Sequence, residues 1–194
     1  MKYDVILAGV GGQGVLSVAA IIALGAMKDG LLVRQSEVHG MAQRGGAVQA
    51  HLRLSDRTIV SDLIGKASAD MILSMEPIES LRYLEYLKAE GVLVTSSDPV
   101  KNISSYPDLE GIYAKIRALP TACLIDAGEL AGQAGYARST NMVMVGAASA
   151  YLPLKENSLL AAIEELFSRK GEKIVEVNQQ AFKLGRDSLR TASV

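Results

Sequence analysis

Hydrophobic and polar positions along the chain follow two alternating periodicities. The runs "YDVILAG", "LLVRQSE", "ADMILSM", "GVLVTS" and "TACLID" read as strands. "GAVQAHLRLS" alternates Val48, Ala50, Leu52 and Leu54 against Gln49, His51 and Arg53, the period of a half-buried strand with one wet or functional face. Helical spacing predicts a helix from about Gly14 to Lys28 and another from Pro77, a residue favoured in a first helical turn, to about Glu90. Two stripes close the chain, Leu159, Leu160, Ile163, Leu166 and Phe167, then Ile174, Val177, Ala181 and Leu184. Their polar faces mix both charge signs, so they are expected to cover a sheet rather than meet a membrane. Strands alternating with helices predict an α/β, Rossmann-like fold with a largely parallel sheet covered by helices. No Pro- or Ser-rich linker divides residues 1–194, which read as a single domain.

Composition narrows the function classes. Twenty basic residues balance twenty-one acidic ones, there is no Trp and there are only two Phe, a poor basis for holding nucleic acid. The most apolar stretch, Val15 to Met27, is too short for a bilayer and is interrupted by Ser17 and Gly25, while Asp4 and a Gly-rich loop stand where a leader would be apolar. A soluble, cytoplasmic protein is expected. Cys123 is the only cysteine, so the chain has no internal disulfide and cannot alone supply the four thiolates of an iron–sulfur cluster. It reads as a buried strand position, with no basic neighbour to activate its thiol. His39 and His51 are the only histidines, and a metal site of imidazole and thiolate is not expected.

"GVGGQGV" follows the first strand and opens the first helix, and Gly9, Gly11 and Gly14 satisfy G-x-G-x-x-G. In a dinucleotide site such glycines let a pyrophosphate reach the helix start, and an acid ending the second strand, here Glu37, takes the ribose. Two features weigh against it. Gln13 precedes the last glycine, and the second strand runs on into "EVHGMAQRGGAV", which brings Gly40, Arg44, Gly45 and Gly46 to the same sheet edge. The pattern alone leaves NAD or FAD binding, or a tight strand-to-helix turn without nucleotide. Gly9, Gly11, Gly12, Gln13 and Gly14 suit an anion, such as a coenzyme A phosphate or substrate carboxylate, or a partner's backbone. Glu37 and Arg44 are expected either to pair and brace their loop or to present Arg44 to a carboxylate. His39 is placed for proton transfer or for hydrogen bonding within the loop. His51 and Arg53 are expected to pack beneath a covering helix. Asn141 caps the apolar helix that follows or braces a loop, and Met142 and Met144 read as core or subunit interface.

Three motifs in register, "GVGGQGV", "SEVHGMAQRGGAV" and "RSTNMVMVGA" at Arg138 to Ala147, resemble the gamma-type subunit family of 2-oxoacid:ferredoxin oxidoreductases, from Tyr3 to about Leu189. The His-Gly-Met-Ala-Gln before Arg44 resembles the family's indolepyruvate branch, where the corresponding chain is the beta subunit. The resemblance implies a component that supports CoA-dependent oxidative decarboxylation of aryl pyruvates with ferredoxin as acceptor. It implies that no cofactor is bound by this chain alone. Thiamine diphosphate, Mg, 4Fe-4S clusters and coenzyme A would belong to the assembled complex, with a larger catalytic subunit as partner and ferredoxin reached through it. A hetero-oligomer follows, without nucleic acid or membrane, in which both Gly-rich loops, with Glu37, His39 and Asn141, form a shared substrate or coenzyme A pocket or an interface. Gamma subunits of pyruvate, ketoisovalerate or 2-oxoglutarate enzymes, and a free-standing dinucleotide-binding oxidoreductase, remain the alternatives.

Overall fold

The computed structural model describes residues 1–39, 45–102 and 105–191, apart from the side chains of His39, Arg190 and Thr191. Six strands, β1 (Lys2–Val10), β2 (Leu32–His39), β3 (Ala47–Ser55), β4 (Ala69–Ser74), β5 (Leu87–Ser96) and β6 (Ala122–Ile125), form one sheet in the order β2-β3-β1-β4-β5-β6. Strand β3 pairs antiparallel with both β1 and β2, whereas β1, β4, β5 and β6 pair in parallel, so β3 alone runs against the rest. The largely parallel α/β sheet expected from the sequence is therefore present.

Alternation along the strands sends side chains to two faces. Val5 and Leu7, with Ala50 and Leu52 opposite them in register, join Met71, Leu73 and Val94 on one face, in a core that includes α1 (Val15–Lys28) and α5 (Thr140–Ala148). Ile6, Ile72 and Leu93 face the other way, toward Ile64 and toward Ile112 and Ile116 of α3 (Leu109–Arg117). On the first face α6 (Glu156–Phe167) lies on α1, and α7 (Glu172–Thr191) lies on α5. The two closing helices thus form part of the protein's covering layer, outside the first. Glycines set the approach of α5 and α7: a Cβ on Gly146 would stand 1.9 Å from the Phe182 carbonyl oxygen, and one on Gly185 2.0 Å from that of Val143. Met142 and Met144 are core residues.

Two expectations are corrected. The helix opened by Pro77 ends at Arg82 rather than near Glu90, and after a short turn the chain enters β5 at Leu87. Leu81, Leu84 and Leu87 keep helical spacing, but Leu87 pairs with Ala69 across an irregularity in the β4–β5 register, and Lys88 pairs with Asp70. Gly91 allows this approach, since a Cβ there would lie 2.5 Å from Leu87 Cδ1. The second correction concerns the polar face of β3, which is covered by the segment 56–68 and Tyr86 instead of by a helix. Arg53 grips the fully buried Asp4 with two bonds of 2.9 and 3.0 Å and donates to the Ser61 and Leu63 carbonyls. His51 Nδ1 accepts from Ile64 N at 2.9 Å, and its ring meets Tyr86 edge-on. Burial, followed by the Arg53 charge, pushes the His51 pKa down.

Candidate functional site

The strands other than β3 bring their carboxyl ends to one edge of the sheet, and β3 brings its start there. Three loops meet at this edge. The first leaves β1, whose final residues include Gly9; a Cβ on Gly9 would crowd Val15 Cγ2 at 2.9 Å and the Gln13 side chain at 3.0 Å. Gly12 (φ 103°) and Gly14 (φ 77°) both adopt left-handed backbone, which lets the chain turn directly into α1. Gln13 closes this turn. Its Oε1 accepts from Val10 N at 2.7 Å, and its Nε2 donates to the Met75 carbonyl at 2.9 Å.

That bridge bears on the dinucleotide reading. From β1 the chain crosses by α1 toward β2, and from β4 it crosses by α2 (Pro77–Arg82) toward β5, so the topology switches between β1 and β4. Ligands of doubly wound folds enter the crevice outside the strand ends at such a point. Here the Gln13 carboxamide spans the ends of β1 and β4.

The second loop begins after β2. Glu37 is half-buried on this edge strand, opposite Ala50, and His39 is paired with Val48 at its end. Gly40 and Arg44 lie outside the described residues, as does the His39 side chain. Gly45 and Gly46 return the chain to β3 and clamp the first loop: Gly11 N donates to Gly46 O at 2.8 Å, and Gly45 N to Gly11 O at 3.1 Å. The two glycine-rich segments therefore meet directly, through backbone.

Asn141 does not cap α5, whose N-cap is Ser139 with no side-chain cap bond. It braces the first loop instead, with Nδ2 reaching the Gly14 carbonyl at 3.4 Å. Of the two uses open to it, loop bracing is the one realised.

The third loop, between β5 and α3, carried no sequence expectation. Asn102 on it donates from Nδ2 to the Gly45 carbonyl at 2.5 Å. Glu76, 1% exposed at the end of β4, caps α2 by accepting from Glu79 N at 2.8 Å, and also accepts from the Tyr106 hydroxyl and, at 3.4 Å, from Val100 N. Burial, then the bond to Glu76, pushes the Tyr106 pKa up. A cleft of about 210 Å³ opens between these parts, lined among others by Val10, Gly45, Glu79, Arg82, Asn102 and Tyr106. The one sequence signal for Glu76 was its place before Pro77 at a helix start; nothing in the pattern singled out Asn102 or Tyr106.

Electrostatically, the helix starts at this edge differ. Glu76 caps α2 and Asp126 caps α4 (Ala127–Gln133), each through a carboxylate, while α1 begins at Gly14 with no side-chain cap bond and no acid in its first turn. Ser17 N of that first turn donates to the Gly14 carbonyl at 2.9 Å, so what the start of α1 offers an anion is chiefly the uncompensated positive end of its dipole. No three His, Cys, Asp or Glu side chains among the described residues are grouped to hold a metal ion. Cys123, half-buried in β6, lies 3.2 Å from the Tyr151 hydroxyl, and burial pushes its thiol up, away from the thiolate a cluster would need. The donor set therefore does not fit an iron–sulfur cluster.

The sequence matches the family "Pyruvate ferredoxin/flavodoxin oxidoreductase" over residues 4–188. It is 35% identical to "Indolepyruvate oxidoreductase subunit IorB" of Archaeoglobus fulgidus, over 95% of this chain and 94% of that protein. It is 30% identical to "2-oxoglutarate synthase subunit KorC" of Methanothermobacter marburgensis, over 96% of each. Its fold resembles part of the 2-oxoglutarate:ferredoxin oxidoreductase of Magnetococcus marinus, solved with 2-oxoglutarate, coenzyme A and succinyl-CoA bound, with a TM-score of 0.77 and 23% identity; all of this chain matches 32% of that one.

Proposed function

The chain belongs to the pyruvate ferredoxin/flavodoxin oxidoreductase family, and we propose on that basis that it is the beta subunit of an indolepyruvate:ferredoxin oxidoreductase. The observation that carries the site reading is the clamp between Gly11 and Gly45–Gly46, which unites the two glycine-rich loops at one sheet edge. In the assembled enzyme an aryl pyruvate, coenzyme A and oxidised ferredoxin become an acyl-CoA, carbon dioxide and reduced ferredoxin. Thiamine diphosphate with its Mg, and 4Fe-4S clusters, on a larger partner subunit supply the decarboxylation and electron transfer.

This chain's own residues shape and charge one wall of the pocket. The uncapped start of α1 and the bare Gly12 backbone favour a carboxylate or phosphate. Gln13 and Asn141 hold that turn in place, and the loop reading assigns Glu37, His39 and Arg44 to the same pocket or interface. The 30% identity to a KorC subunit favours, as second reading, the same role for another 2-oxoacid.

Reconstitution with the larger subunit tests both. The complex is expected to show its highest kcat/KM with indolepyruvate or phenylpyruvate, and the isolated chain no turnover. Preference for pyruvate or 2-oxoglutarate would move the chain to another branch, and stoichiometric NADH or FAD binding by the isolated chain would return it to the dinucleotide reading. In the same assay Gly11→Ala and Arg44→Ala are expected to assemble normally and turn over more slowly; wild-type rates from both would remove these loops from the site.

A further inference from the structure

The third loop connects the buried framework to the glycine clamp. Glu76 ties it to the end of β4 through the Tyr106 hydroxyl and Val100 N, and Asn102 then reaches from it to the Gly45 carbonyl. Gly45 in turn donates to Gly11. Asn102 N also donates to the Val100 carbonyl at 2.8 Å, so a hydrogen-bonded path runs from a buried carboxylate, through Val100 and Asn102, to both loops.

Gly45 adopts φ 76°, and the position its Cβ would occupy is open. Its hydrogen bonds with Gly11 join it to the first glycine loop, which Gln13 and Asn141 hold from the other side, and Asn102 supplies a side-chain link from the base of the second loop to the third.

We propose that Asn102 is a positioning residue: held through Val100, which Glu76 ties down along with Tyr106, it fixes the Gly45–Gly46 base of the second loop and through it the substrate-facing edge. This rests on the functional reading above for the word substrate, but not for the loop geometry. Asn102→Asp keeps the side chain's shape and replaces the donor with a carboxylate oxygen facing the Gly45 carbonyl; Asn102→Ala removes the group. Tyr106→Phe cuts the supporting hydroxyl and is expected to act in the same direction.

Two readouts separate the possibilities. Amide hydrogen exchange by NMR on the full chain is expected to rise about tenfold at Gly11 and Gly45 in Asn102→Asp, the scale of one lost hydrogen bond, with the thermal midpoint unchanged. In the reconstituted complex the KM for the 2-oxoacid or for coenzyme A is expected to rise about tenfold while that for ferredoxin stays constant, a split that general damage to the subunit would not give. Unchanged exchange, or raised exchange with both substrate KM values unchanged, would overturn the proposal. A wild-type complex inactive on every 2-oxoacid would reject the functional reading instead, and the exchange measurement would still decide whether Asn102 holds the loop.

Discussion

Gly12 and Gly14 share left-handed backbone but not surroundings, and this separates their substitutions. At Gly12 a methyl group meets nothing within 4 Å, so Gly12→Ala is expected to cost only the backbone strain, about 1–2 kcal/mol. At Gly14 the methyl would stand 2.3 Å from Asn141 Nδ2. Gly14→Ala should therefore cost more, and should also detach Asn141 from the Gly14 carbonyl; urea denaturation of the two variants measures the difference. His51 gives a pH dependence of definite sign. Its folded pKa lies below 6.5, so the unfolded chain binds the extra proton first, and stability present above 6.5 is lost as pH falls toward the folded value. Denaturation midpoints are expected to drop between pH 7.5 and 5, with a smaller drop in His51→Gln. At this scale the glycines were legible because left-handed turns restrict residue choice. Asn102 and Tyr106 were not, since a single amide and a single hydroxyl in a polar loop leave no periodic trace.

Between elements, α5 and α7 cross closely, each helix placing a glycine against the other's backbone. Gly146→Ala would drive a methyl into the Phe182 carbonyl and Gly185→Ala into that of Val143, and backbone cannot step aside as a side chain can. Each is expected to destabilise the protein by about 1–3 kcal/mol, seen as a lowered thermal midpoint. The pair should be non-additive, because the first substitution already separates the helices. Neither glycine was marked in the sequence: the stripes concerned the two closing helices, of which only α7 is part of this crossing, and said that they cover a sheet but not how closely α7 approaches α5. The strands were legible for the opposite reason: strict alternation in β3 and short apolar runs in β1, β4, β5 and β6 are local signals. The α2–β5 boundary failed because Leu81, Leu84 and Leu87 follow a helical period until the pairing of Leu87 with Ala69 overrides it. Helix α4 is only seven residues long, too short for its periodicity to emerge from the sequence.

The molecule as a whole exposes apolar surface near one sheet margin. Leu32 and Val38 on the edge strand β2 are 51% and 55% exposed, and Val60 is 97% exposed. An open strand edge with such residues favours association. Light scattering of the isolated chain is expected to show concentration-dependent self-association that disappears when the larger subunit is added; a strictly monomeric chain would argue that this margin is not a contact surface. The architecture of the candidate edge was legible in outline, since two glycine-rich segments each followed a strand, but the link from β4 through the third loop exists only once the sheet order is known. The reversed direction of β3 has a further consequence. Because it pairs with β2 in an unbroken antiparallel register, residues 40–44 join neighbouring strands, and the connection is closed at its base by Gly45, Gly46, Gly11 and Asn102. Exchanging those five residues for a relative's is expected to leave the pairing of β2 with β3 in place, which circular dichroism and the denaturation midpoint of the exchanged chain would check. On the proposed function, selectivity would then be carried by a replaceable cassette, without renegotiating the fold beneath it.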